Sequence, residues 1–182
     1  MSDIIIFQKG NLLRIIIISL LILLQLYSKP VKLFDSKQKS NLKICKEVST
    51  KLGNDPHLVC AIMLNESSAR LDEKIYVGDR FLKPFNRSYG IMQVRFSTMK
   101  DMIKRFKLKK YLKLPDEILL SKLMFDKVFN IEIANYYIKY LSKKYRVPYK
   151  IAVAYNSGHY TPKNRRYKRN FNRHYKLLKS VW

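Results

Sequence analysis

The stretch Leu58-Val59-Cys60-Ala61-Ile62-Met63-Leu64 constrains this chain more than any other. Asn54-Asp55-Pro56 stands before it and Asn65-Glu66-Ser67 closes it. Asp at the cap and Pro at the first helical position are start signals for a helix. Val59, Ile62, Met63 and Glu66 then fall at i, i+3, i+4 and i+7, on one face. Leu58, Cys60, Ala61 and Leu64 make the other faces apolar too, so the helix must be buried on most sides. A glutamate at the end of such a helix has two readings. It reaches solvent, as most glutamates do. Or it points into a low-dielectric rim, where desolvation raises its pKa and keeps it protonated near neutrality, as a general acid requires.

The rest of the chain reads as helix after helix. Ser40 caps a helix over 41–52, with Gly53 as its stop. Residues 67–89 lack periodicity and contain Gly78, Pro84 and Asn86. Long loops of this kind inside a compact domain are usually functional. Thr98-Met99-Lys100-Asp101 reads as a capping box opening a helix to about Phe106. Leu114-Pro115-Asp116-Glu117 starts another. The strongest helix runs from about Asp126 to Tyr145, with Ile131, Ala134, Ile138 and Leu141 on one face and Tyr137 flanking it. Val147-Pro148 breaks it, and a helix from Tyr149 ends near Asn156-Ser157-Gly158. A last helix spans about Asn170 to Ser180. No strand alternation, internal repeat or low-complexity linker stands out. The expected fold class is all-α, a single domain behind an N-terminal segment.

Residues 1–28 read as a targeting segment. Lys9 and Arg14 give a positive flank, and Ile15 to Leu26 is apolar apart from Ser19 and Gln25. The segment is either a signal peptide or an uncleaved membrane anchor. The expected location is therefore exported: periplasmic or cell-envelope, with inner-membrane anchoring as the second form. The net charge is +24, and no acidic residue follows Glu132. The run Lys163-Asn164-Arg165-Arg166-Tyr167-Lys168-Arg169 is its densest part. Such a field attracts polyanions. Export argues against nucleic acid and for an anionic wall polymer, an anionic membrane surface or a cell-envelope secretion machine. A general Lys-rich residue usage accounts for the excess equally well. Cys45 and Cys60 flank the Gly53 turn. They are either a disulfide pair, which an oxidising compartment permits, or two small buried hydrophobes. His57, His159 and His174 show no ligand spacing, so no metal site is expected.

Two further signatures follow Glu66. One is Ser88-Tyr89-Gly90-Ile91-Met92-Gln93; the other is Ala154-Tyr155-Asn156-Ser157-Gly158. Together with Glu66-Ser67 and an Asn130-led helix carrying Tyr136-Tyr137, they resemble the lytic transglycosylases of the soluble (SLT) type. The likeness covers about residues 40–182. It implies a lysozyme-like catalytic domain acting on peptidoglycan glycan strands, with no metal or organic cofactor. The implied reaction cleaves the β-1,4 bond between N-acetylmuramic acid and N-acetylglucosamine and leaves 1,6-anhydro ends. Position by position, it makes Glu66 the acid and then the base, and Gln93 a partner of the sugar's acetamido group. Tyr155 is placed to hydrogen-bond or orient the acid. Asn156 supports that loop and the substrate, and Met92 packs beside the cleft. The interval of 27 positions from Glu66 to Gln93 is longer than in many members. No serine sits at the family's substrate-binding position in that stretch, and Ser88 is the candidate substitute.

One acid agrees with this chemistry. Ordinary glycosidases need two carboxylates, but a substrate acetamido group can replace the second. Two alternatives remain open on the sequence. One is a lysozyme-type hydrolase using Asp72 or Asp79 to position water. The other is a basic wall-binding or secretion-assembly protein that cleaves nothing.

Overall fold

The structure is a computed structural model that describes residues 18–19, 33–70 and 82–182. The chain divides into two units, residues 1–35 and 36–182. The expected targeting segment lies almost wholly outside the described residues, as do residues 71–81 of the loop after Glu66. No helix among the described residues is long and apolar enough to cross a membrane.

The second unit is helical almost throughout. Its elements are α1 (Ser36–Lys51), α2 (Pro56–Ser67), a 3-10 turn (Pro84–Asn86), β1 (Ser88–Tyr89), β2 (Val94–Arg95), α3 (Phe96–Arg105), α4 (Lys109–Leu112), α5 (Asp116–Phe125), α6 (Lys127–Lys144), α7 (Pro148–Ser157) and α8 (Arg165–Val181). The all-α expectation holds. The strands form one antiparallel hairpin of two residues each, pairing Ser88 with Arg95 and Tyr89 with Val94. A pairing that short leaves no alternation in a sequence.

Helix α2 is the buried centre. Seven consecutive residues, Leu58 to Leu64, are buried. It packs on α1, α7 and α8. Asp55 caps it, accepting from the His57 amide at 2.9 Å. Its far end turns through Ser68 and Ala69, both with positive φ (55° and 56°). Left-handed backbone is unfavourable for residues with a Cβ, so something must hold it. Two side chains of α1 do. Gln38 Nε2 donates to the Ser68 carbonyl at 2.8 Å, and Asn41 Nδ2 to the Ala69 carbonyl at 2.9 Å. The position of Glu66, two residues before this turn, is thereby set.

Three helix starts differ from expectation. Helix α1 begins at Ser36, so Ser40 lies inside it rather than capping it. Helix α3 begins at Phe96, directly out of β2, and not at a Thr98 capping box. Phe96 is buried and its ring lies edge-on to Phe85, with centroids 4.8 Å apart. That packing, rather than a side-chain cap, fixes where the helix starts. Helix α8 begins at Arg165, a full turn earlier than Asn170. The cysteines are both free thiols, buried between α1 and α2. The Cys60 thiol donates to the Leu42 carbonyl at 3.8 Å. Burial, then the Cys45 thiol beside it, push the Cys60 pKa far up, which makes it inert.

Candidate active site

The hairpin turn Gly90-Ile91-Met92-Gln93 is held from below by one residue of α6. Asn130 is 1 % exposed and spends its whole amide on backbone. Its Nδ2 donates to the carbonyls of Tyr89 (2.9 Å) and Leu123 (3.0 Å), and its Oδ1 accepts from the Met92 amide (2.8 Å). This is why position 90 is glycine. Its φ is +68°, and a Cβ there would overlap the Asn130 amide and lie 2.7 Å from the Leu123 carbonyl. The turn then presents Gln93, itself at φ 50°, with its amide at 3.0 Å and its side-chain Nε2 at 2.9 Å from the Gly90 carbonyl. The Gln93 side-chain oxygen is left to accept from a ligand.

Above this turn lies a cleft of about 300 Å³. Glu66, Ser88, Gln93, Val94, Arg95, Thr98, Tyr137, Tyr155, Asn156 and Gly158 line it. Five of the six residues singled out in the sequence therefore meet there: Glu66, Ser88, Gln93, Tyr155 and Asn156. The sixth, Met92, does not. Its side chain is 0 % exposed beneath the turn and touches no cleft. Met92 serves through its backbone instead, because its carbonyl accepts the Tyr155 hydroxyl at 2.8 Å. That bond corrects the expectation for Tyr155 as well. Its hydroxyl is committed to the hairpin, so it ties α7 to the turn rather than bonding the acid.

The partner of the acid is Tyr167, on α8. Its hydroxyl donates to Glu66 Oε1 at 2.7 Å. Glu66 is the one carboxylate on the cleft wall among the described residues. Burial pushes its pKa up to about 7; the hydrogen bonds from Tyr167 and Asn156 pull the other way and lose. At neutral pH the carboxyl is thus divided between acid and base forms. The Tyr167 phenol is raised well above its ordinary value, by burial first and by the Glu66 charge second. It stays protonated and keeps donating.

Both donors are themselves anchored. Asn65 Nδ2 donates to the Tyr167 carbonyl at 3.1 Å. Asn164 Nδ2 donates to Asn156 Oδ1 at 3.0 Å and to Ser157 Oγ at 3.2 Å. With its oxygen so engaged, Asn156 turns its NH₂ towards the acid. Gly158, at φ 78°, ends α7 and opens the cleft rim.

Tyr167 was hidden in the sequence by its neighbours. It sits inside the Lys163–Arg169 basic run, which reads as a solvated charged face. The signal that finds it is the spacing 167, 171, 174, 178, a helical stripe whose members Phe171 and Leu178 are buried. Val94, Arg95 and Thr98 were also missed, since they follow the motif rather than belong to it.

No curated protein and no solved structure matches the chain. A family model described as the transglycosylase SLT domain matches residues 43–178. That span runs from α1 to the end of α8 and takes in every element that lines the cleft. The chain belongs to the transglycosylase SLT family, whose members are peptidoglycan-acting enzymes with an all-α, lysozyme-like fold.

Proposed function

We propose that the protein is a peptidoglycan lytic transglycosylase with Glu66 as its sole acid and base. The observation that carries the reading is a carboxyl that stands alone on the cleft wall among the described residues, raised to about 7 and held by the Tyr167 hydroxyl at 2.7 Å. In the first step Glu66 gives its proton to the glycosidic oxygen as the bond to muramic acid C1 breaks. The muramic acetamido group stabilises the cationic carbon, so no second carboxylate is needed. Glu66, now ionised, takes the proton from the C6 hydroxyl as that oxygen attacks C1. The ring closes, the proton returns to Glu66, and no water is consumed. An attacking group already tethered to the substrate gains effective concentration over water.

Tyr167 and Asn156 make the ionised intermediate state accessible by donating to it. Gln93 and Ser88 bind the sugar, Tyr155 holds the turn that carries Gln93, and Met92 acts only through that turn. The reaction takes place at the cell envelope, where its substrate lies; the apolar segment 15–26 supports export.

The test is digestion of purified sacculi with mass spectrometry of the products. Anhydromuramic ends are expected, and they should vanish in Glu66→Gln. Reducing muramic ends would instead identify a hydrolase. Wall lysis that survives Glu66→Gln would leave no catalytic role for this residue.

A further inference from the structure

Arg95 lies where β2 runs into α3, exposed and on the wall of the cleft. Among the described residues it is the only basic side chain there, and no carboxylate pairs with it. The hydrogen bonds that favour the ionised form of Glu66 come from Tyr167 and Asn156, so Arg95 does not act on the acid. Its backbone is fixed by the Ser88 pairing on one side and by the start of α3, packed through Phe96, on the other. A guanidinium held on such a support, with no carboxylate among the described residues paired to it, is built for a planar anion supplied by the ligand.

Resting on the reading above, the ligand is a glycan of alternating N-acetylglucosamine and muramic acid. Its sugar hydroxyls and acetamides are neutral. Its negative charge lies on the substituent of the muramic residue. In peptide-free strands that is the lactyl carboxylate; in peptide-bearing strands it is a carboxylate of the stem peptide.

We infer that Arg95 is a specificity-determining residue that reads a carboxylate on the muramic acid substituent, so that the cleft separates wall glycan from uncharged N-acetylglucosamine polymers. Gln93 and Ser88 meet groups that both kinds of chain share, whereas Arg95 meets a group that only one of them has. The remaining cationic surface, α8 included, adds a long-range pull that salt screens. A fixed pair inside the cleft is screened less.

Binding, rather than turnover, tests this, so that a failure here stays separate from a failure of the catalytic reading. The background is Glu66→Gln in the full chain. The probes are a chitin oligosaccharide, a peptide-free muroglycan oligomer, a peptide-bearing oligomer and the same peptide-bearing oligomer with its carboxylates amidated, all of equal length. Titration at 150 mM salt, about one Debye length of 8 Å, should show roughly tenfold tighter binding of a carboxylate-bearing chain than of chitin. Arg95→Gln should shrink that ratio below about threefold, and Arg95→Lys should restore part of it. Preference for the peptide-free oligomer assigns the lactyl carboxylate. Preference for the peptide-bearing oligomer, lost on amidation, assigns the stem peptide. Equal binding of all four probes, or a preference that Arg95→Gln leaves unchanged, overturns the inference. Arg95 is exposed and has no ion-pair partner among the described residues, so matching thermal melts of the variants will show that the fold is intact.

Discussion

Helices α2 and α8 lie against one another, and each supplies half of the Glu66–Tyr167 hydrogen bond, yet they are built on opposite rules. Helix α2 is apolar on every side and holds its place because nothing else can be done with it. Helix α8 is amphipathic, with only Phe171 and Leu178 buried and cations along the rest. A uniformly apolar helix carries no orientation in its pattern; its facing must come from its ends. For α2 those ends are the Asp55 cap and the Ser68-Ala69 turn held by Gln38 and Asn41. Helix α8 gets its facing from its stripe, and that stripe is what places Tyr167. The acid is thus aimed by capping, its partner by amphipathicity.

The sharpest break of this comparison is at Glu66 itself. Glu66→Gln keeps the shape of the α2 end and should reduce sacculus cleavage by about a thousandfold, read as release of muropeptides. The support of the turn comes next. Asn130→Ala would remove the hydrogen bonds that Asn130 makes to the Met92 amide and to the Tyr89 and Leu123 carbonyls. It should cost about 3 kcal/mol in urea unfolding. If α2 sits in its buried place regardless of the hairpin, its amides should stay protected from exchange in this variant.

The pH dependence of stability isolates the carboxyl from its aim. The folded chain holds the Glu66 proton up to about 7, whereas the ordinary value is 4.5. Stability from this group is therefore fully present below pH 4.5, falls as pH rises between those values, and is level above. The fall is about 3 kcal/mol at most. Glu66→Gln should abolish this slope and be the more stable protein at pH 8. A slope that persists in the variant would place the titration elsewhere.

Tyr167→Phe tests the α8 half. It removes a hydrogen bond that favours the carboxylate, so the Glu66 pKa rises further. Activity that declines as pH climbs through about 7 should now decline at higher pH, with the maximum lowered about tenfold. A lowered maximum with the limb unmoved would make Tyr167 a packing residue only. The smallest effect belongs to the outer face of α8. Exchanging the exposed Arg165, Arg166 and Arg169 for Gln should weaken retention on sacculi in low salt. It should leave stability within about 0.5 kcal/mol. Unaltered retention would show that these cations attract nothing in the wall.

The sequence was most legible where structure is local. Asn54-Asp55-Pro56 marks the start of α2 because a cap is made by neighbours in the chain, and Gly158 marks the end of α7 in the same way. Glu66, Ser88, Gln93, Tyr155 and Asn156 were found because their short motifs are unusual strings. What stayed hidden depends on partners far along the chain. Tyr155 and Met92 are 63 residues apart, and Glu66 and Tyr167 are 101 apart. No local pattern tells a tyrosine which of two acceptors it will reach. The thiols illustrate the same limit: spacing brings Cys45 and Cys60 near each other, and burial against the Leu42 carbonyl decides what Cys60 does there.

Helix α2 is fastened to α8 at both ends. The Tyr175 hydroxyl donates to Asp55 at 2.8 Å at one end, and Asn65 and Glu66 meet Tyr167 at the other. During synthesis every other cleft residue emerges before Tyr167. A nascent chain ending anywhere short of α8 therefore holds Glu66 without its Tyr167 donor, with only Asn156 left to favour the ionised form. In this member of a peptidoglycan-acting family, the hydrogen bond that completes the candidate site is thus the last to become possible.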